Sequence, residues 1–142
     1  MQQPLFSIII PVYNAAETLS AAANSILSQS VQDLELLLVD DGSRDGSSDL
    51  CHRLAEQDSR VRVFSQKNSG ICAARNSGLT QARGKYIGFC DDDDRYLPDT
   101  LQKAKELISQ TNVDVVRGGY ELQRQTQAGY MVTLPHAVGT FC

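Results

Sequence analysis

The sequence predicts an open α/β fold, a mostly parallel sheet flanked by helices, in one domain over residues 1–142. Three observations lead there. Strand-like and helix-like segments alternate along most of the chain, as in a sheet built by right-handed crossovers. The first strand-like runs are continuously apolar and rich in branched side chains, as strands buried on both faces should be. Acids and turn formers follow these runs, at the carboxyl ends of strands where an open parallel sheet places its ligand-binding loops.

Phe6-Ser7-Ile8-Ile9-Ile10 is the first expected strand, and it runs out into Pro11-Val12-Tyr13-Asn14. Leu19, Ala22, Ala23, Ile26 and Leu27 recur at helical spacing and predict the first helix. Leu34 to Val39 reads as the second strand, ending in Asp40-Asp41-Gly42-Ser43. Leu50, Leu54 and Ala55 mark a shorter helix before a third strand, Val61 to Phe64. Ala73, Ala74, Ser77 and Ala82 give a helix of small side chains suited to close packing, with Gly84 placed for its C-terminal cap. Lys85 to Phe89 is the fourth strand, after which Cys90 should point into the core. Pro98 suits the first turn of a helix carrying Leu101, Ala104, Leu107 and Ile108. Asp114 to Arg117 reads as a fifth strand, and Tyr120 to Gln125 and Tyr130 to Leu134 flank residues 126–129 like a hairpin.

Composition excludes several classes of protein. A net charge of −4 and a pI near 5.0 leave no basic stripe for a phosphate backbone, so no nucleic-acid partner is expected. The longest apolar run, Phe6 to Val12, is too short to span a bilayer, and Met1-Gln2-Gln3-Pro4 lacks the pattern of a signal peptide. A cytoplasmic location is the expectation. Cys51, Cys72, Cys90 and Cys142 show no zinc-type spacing and read as reduced, mostly buried thiols; His52 reads as a solvated helix residue.

Asp91-Asp92-Asp93-Asp94 is the least ordinary stretch. Two carboxylates about 5 Å apart repel by roughly 3 kcal/mol at an effective dielectric near 20, so such a run calls for a cation. With no histidine at ligand spacing, all-oxygen ligation favours Mg²⁺ or Mn²⁺, which complete their shells with water and substrate phosphates. On an extended backbone Asp91 and Asp93 would share one side and Asp92 and Asp94 the other, giving a two-carboxylate clamp.

Four segments in register carry a family resemblance: Ile8-Ile9-Ile10-Pro11-Val12-Tyr13-Asn14, Val39-Asp40-Asp41-Gly42-Ser43-Arg44-Asp45-Gly46-Ser47, Gly70-Ile71-Cys72-Ala73-Ala74-Arg75-Asn76-Ser77-Gly78 and Phe89-Cys90-Asp91-Asp92-Asp93-Asp94. In order and spacing the chain resembles the amino-terminal, donor-binding portion of family 2 glycosyltransferases with a GT-A, Rossmann-like fold. The resemblance implies an inverting transfer of sugar from a nucleotide-sugar, commonly a UDP-sugar, to a glycan or lipid-linked acceptor, with Mn²⁺ or Mg²⁺. It also suggests polysaccharide, glycolipid or cell-surface synthesis, with peripheral association at the inner membrane face.

By the same resemblance Pro11, Tyr13 and Glu17 would line the nucleoside pocket. Asp40 would accept a hydrogen bond from the base, a contact able to select uracil by its N3–H donor. Asp41 would lie near the ribose or hold its loop, and Arg75 would approach the nucleotide or its diphosphate. Asp91 and Asp93 match the DxD motif, Asp91 reaching the ribose or metal and Asp93 the metal; Asp92, between them, would also bind the nucleotide-sugar, and Asp94 would hold the acid loop in shape. The family's base belongs to an acidic motif beyond Cys142, so no catalytic base is named and the acceptor half is expected to be absent. A non-catalytic nucleotide-binding module is the alternative.

Other readings of these residues are weaker. Asp41-x-Ser43-x-Asp45-Gly46-x-x-Asp49 imitates the start of a calcium-binding EF-hand loop, but its twelfth position is His52 rather than glutamate and a strand precedes it. A nucleotidyltransferase would want a glycine-rich, basic loop after the first strand, and Pro11 to Asn14 is not one.

Overall fold

In the computed structural model, residues 2–126 and 129–133 are described, with 122–126 and 129–133 described by their backbone alone. They fall in two compact units, Met1–Asp99 and Thr100–Cys142. The first contains β1 (Phe6–Val12), α1 (Leu19–Leu27), β2 (Leu34–Asp40), α2 (Ser47–Gln57), β3 (Val61–Ser65), α3 (Ile71–Gln81) and β4 (Tyr86–Phe89). All four strands are parallel, in the order β3-β2-β1-β4. Since β1, β2 and β3 advance in one direction, right-handed crossovers put α1 and α2 on one face. The chain then turns back past β1 to reach β4, which puts α3 on the other face.

β1 and β2 form the buried centre, with no exposed residue in either. Ile9 pairs with Leu37 on one side and Phe89 on the other, so these side chains share the face on which Ala74 of α3 packs. The packing is close enough that a Cβ on Gly78 would lie 2.5 Å from Ile9 Cγ2. At the edge, Ile87 and Phe89 of β4 remain about two-fifths exposed, at 41% and 42%.

β1 runs two residues further than its apolar pattern suggests, through Pro11. Ile9 O accepts from Cys90 N and Val12 O from Asp41 N, so odd-numbered residues of β1 face β4. The ladder to β4 stops at the Ile9–Phe89 pair, and the N–H that Pro11 lacks would point past its end.

A buried polar cluster ties the amino-terminal ends of the strands. Ser7 Oγ donates to Glu35 Oε1 at 2.6 Å, Arg83 N donates to the same oxygen at 2.7 Å, and Arg62 Nη1 pairs with Oε2 at 2.9 Å. Burial alone would raise the Glu35 pKa, but Ser7, Arg83 N and Arg62 together hold it below the ordinary 4.5. Gly84 belongs to this cluster and is not the helix cap its position suggests. α3 ends at Ala82 in an extended conformation, and Gly84 N donates to Ser7 Oγ at 2.7 Å. A Cβ on Gly84 would collide with Ser7 N and Oγ, so the glycine is required by close approach to β1.

The second unit holds α4 (Thr100–Thr111) and an antiparallel pair, β5 (Leu122–Thr126) and β6 (Gly129–Thr133). Three expectations change here. Pro98 lies before α4, separated from it by Asp99 in the left-handed region at φ 62°. Asp114 to Arg117 forms no strand: Val115 is 68% exposed, and without a neighbouring ladder the segment gains none of the hydrogen bonds that define one. The hairpin exists, but only residues 127 and 128 separate its strands, and Tyr120 precedes them. Leu134, His136 and Cys142 lie outside the described residues. Among those described, no helix is long and apolar enough to cross a membrane.

Cys51 and Cys90 are buried free thiols, as expected, whereas Cys72 is exposed. Burial, reinforced by Asp40 beside Cys51 and by the acid run beside Cys90, pushes both buried thiols up to about 12.

Candidate functional site

The strand order reverses at β1, and open α/β sheets bind ligands in the crevice outside the carboxyl ends of the strands at such a point, here β1 and its neighbour β4. The unusual residues gather around that crevice. The loop after β1 is fastened to the one after β2: Asn14 N donates to Ser43 Oγ at 3.0 Å, Arg44 N to Asn14 Oδ1 at 2.8 Å and Ala15 N to Ser47 Oγ at 2.8 Å. Asn14 stands at φ 49°, a conformation asparagine tolerates better than most residues. Asp45 accepts from Ala16 N at 3.2 Å and Ser47 N at 2.9 Å. Its carboxylate is thus spent on loop amides, which removes the calcium-loop reading.

Asp40 and Asp41 are both 4% exposed but serve different neighbours. Asp40 Oδ1 accepts from Ser43 N at 3.1 Å, closing the turn after β2. Asp41 Oδ1 accepts from Gln66 Nε2 and Ser69 N, and Oδ2 from Gly70 N, each at 2.8 Å. Burial would raise the Asp41 pKa, and these three hydrogen bonds hold it below the usual value. These hydrogen bonds hold the loop, one of the two roles that the resemblance leaves open to Asp41. Gly42, at φ 74°, lets the segment of residues 66–70 approach: a Cβ there would lie 2.8 Å from Asn68 N.

The acid run is a turn rather than the extended segment its alternation assumed. Asp94 N donates to Asp91 O at 3.1 Å, so strand alternation does not set Asp91 and Asp93 side by side. Asp91 Oδ1 meets Arg75 Nη2 of α3 at 2.7 Å. Asp92 Oδ2 accepts from Tyr13 N at 3.0 Å, joining the loops after β1 and β4 across the crevice. Asp93 and Asp94 are exposed, and neither carboxylate has a protein donor among the described residues.

Three residues that no sequence pattern singled out close this loop. Tyr96 OH donates to Phe89 O at 3.0 Å, and Tyr96 N donates to Ser25 Oγ at 3.0 Å. Gln29, 2% exposed, donates to Leu97 O at 2.9 Å. Ser25 lies in the last turn of α1 and Gln29 just past its end, a spacing visible in the sequence; their partners, some seventy residues on, are not. Gly88 makes room for the closure, since a Cβ there would sit 2.9 Å from Tyr96 OH.

No three His, Cys, Asp or Glu side chains among the described residues converge as a ready-made metal cage. The donors are nonetheless hard carboxylate oxygens carrying excess negative charge. Burial, with repulsion from Asp93 and Asp91, raises the pKa of both Asp92 and Asp94, and the Tyr13 N–H only partly offsets this at Asp92. This arrangement fits a divalent ion that takes one or two carboxylates and leaves its other positions to water and phosphate oxygens.

The structure therefore brings Tyr13, Arg75, Asp91 and Asp92 into direct contact, with Asp93 at the rim. Tyr13 is 47% exposed, an aromatic face available to a ring. Pro11 is buried within β1, and Glu17, exposed ahead of the Thr18 cap of α1, makes no hydrogen bond or ion pair with the others. A separate groove between α1 and α2, about 390 Å³ and lined by Asn24, Leu27, Leu54 and Arg60 among others, lies towards the opposite end of the strands and contains none of these residues.

Fold and edge together define a Rossmann-like α/β unit with an acidic loop at its switch point. The chain belongs to glycosyl transferase family 2, whose family model matches residues 7–135. It is 38% identical over 128 residues to the uncharacterized glycosyltransferase EpsJ of Bacillus subtilis, covering 90% of this chain and 37% of that protein. The crystal structure of S. aureus TarS 1–349 in complex with UDP-GlcNAc matches with a TM-score of 0.73 at 30% identity, covering 78% of this chain and 33% of that one. The mannosyltransferase PcManGT from Pyrobaculum calidifontis, in complex with GDP-Man and Mn²⁺, matches with a TM-score of 0.70 at 26% identity, covering 82% and 36%. The chain thus spans about a third of the length of each of these matched chains.

Proposed function

We propose that residues 1–142 form the donor-binding portion of an inverting glycosyltransferase that transfers a sugar from a nucleotide-sugar, most simply a UDP-sugar, to a hydroxyl of a glycan or lipid-linked acceptor. The observation that carries this reading is the junction at the β1–β4 switch point, where Asp92 meets Tyr13 N and Asp91 meets Arg75. The nucleotide-sugars bound by TarS and PcManGT, and the Mn²⁺ of the latter, support it.

In this reading Tyr13 offers its exposed ring to the base, beside Pro11 and Glu17, while Asp40 accepts a hydrogen bond from the base. Asp41 acts one step back, fixing the segment that starts α3 and so the position of Arg75. Arg75 supplies positive charge to the donor's phosphates. Asp93, with Asp91, would hold Mn²⁺ or Mg²⁺. A divalent ion there supplies Lewis-acid stabilisation of the charge that builds on the diphosphate as the glycosidic bond breaks. Asp92 and Tyr96 keep the acid loop in place. No residue of this chain is assigned the base that takes the acceptor's proton.

Thermal unfolding tests the reading. UDP with Mn²⁺ should raise Tm well above the effect of UDP alone, and Asp93→Asn should erase the metal-dependent increment. An unchanged increment in Asp93→Asn would take the metal role away from Asp93; no stabilisation of the parent chain by either ligand would end the donor-site reading. Slow release of free sugar from a UDP-sugar would mark residual catalysis, whereas tight binding without turnover would favour a binding module.

A further inference from the structure

We propose that Arg75 is the resident counter-ion of the acid run and that donor binding proceeds by exchange of partners: Arg75 yields Asp91 to a divalent cation and turns its guanidinium to the donor's phosphates. The inference rests on the donor-site reading above and adds a coupling between its two ligands.

Arg75 is the only cation ion-paired to the four carboxylates among the described residues. Its hold is incomplete. One bond, Nη2 to Asp91 Oδ1 at 2.7 Å, joins the pair, where guanidinium and carboxylate commonly make two in parallel. Arg75 Nε is buried with no hydrogen-bond partner, although a donor in that position ordinarily finds an acceptor. The guanidinium carbon lies 5.9 Å from the centroid of the Phe89 ring, a surface over which it can pivot. Both side chains remain within reach of solvent, at 36% and 41% exposure, so a small ion can approach Asp91 directly.

A cation arriving at Asp91 repels the guanidinium held there. A phosphate offers several acceptor oxygens that can take the planar fork and its unused donor, where Asp91 takes a single bond. Each ligand therefore releases the group the other needs, and the two bind with positive coupling that passes through one side chain.

The test uses the intact 142-residue chain and two probes measured separately: Mn²⁺ without nucleotide, followed by electron paramagnetic resonance of the free ion, and UDP without metal, followed by calorimetry. Arg75→Gln should tighten Mn²⁺ binding by about two- to fivefold, the range that loss of a competing exposed ion pair supplies, while weakening UDP binding. Phe89→Leu, which removes the ring and keeps the charge, should shift Mn²⁺ affinity in the same direction by less. Arg95→Gln removes an equal charge from the end of the acid run, where Arg95 makes no ion pair among the described residues, and should have the smaller effect expected of a general field. Wild-type Mn²⁺ affinity in both Arg75→Gln and Phe89→Leu, a gain in Arg95→Gln equal to that in Arg75→Gln, or undiminished UDP binding by Arg75→Gln would each overturn the exchange while leaving the donor site standing. Failure of the parent chain to bind Mn²⁺ or UDP would overturn both.

Discussion

Asp40 and Asp41 share their burial and differ in every partner, which shows how little a carboxylate's place in the sequence says about its role. Asp41 receives three hydrogen bonds from residues 66–70, and its removal would take the shared acceptor from all three donors. Asp41→Ala should therefore destabilise the fold by roughly 2–4 kcal/mol in urea unfolding, with Asp41→Asn costing less because an amide oxygen still accepts. If Asp41 instead served only a ligand, both variants would unfold like the parent chain. The acid run was legible as an oddity from charge alone. Its geometry was not, because the hydrogen bond that turns it is local while the partners that orient it lie far away: Tyr13 is 79 residues from Asp92. Glu17 shows the converse, since the resemblance sets it beside Pro11 and Tyr13 but no hydrogen bond or ion pair joins it to the other site residues among those described.

Among the elements, β1 to β4 and α1 to α3 were readable to within a few residues because each carries its signal in its own stretch, a nearly unbroken apolar run in β1 and β2 and helical spacing in α1, and burial bears these out. Gly84 and the segment Asp114 to Arg117 were misjudged for one shared reason: what they do depends on a neighbour rather than on local pattern. The contact of α3 with β1 is tight enough to test directly. A methyl on Gly78 meets Ile9, which is fully buried and branched at Cβ, so Gly78→Ala should cost about 1–3 kcal/mol and speed the exchange of α3 amides. The Ser7–Glu35 cluster sets an acid limit on stability. The folded pKa of Glu35 lies below 4.5, so its contribution is complete above that pH and is lost as pH falls through the folded value. Glu35→Gln should be less stable than the parent chain at neutral pH, by about 1–3 kcal/mol, and the gap should narrow steadily below pH 4.5. A gap that stays constant down to pH 3 would show that the charge on Glu35 contributes nothing.

At the scale of the molecule, a fully buried pair of central strands between two edge strands predicts a gradient of protection. Amides of β1 and β2 should exchange with solvent last, at the cost of global unfolding, and those of β3 and β4 earlier; equal rates in all four would mean the sheet opens as one unit. The edge at β4 has a practical consequence as well. Backbone groups at the end of a sheet, flanked by Ile87 and Phe89, make a template for a strand from another copy, so the isolated chain should cluster as its concentration rises. A lysine at Ile87, at the far end of β4 from the acid run, should keep it dispersed in light scattering without disturbing the crevice. The flank that makes the sheet easy to extend thus also makes the chain awkward to store.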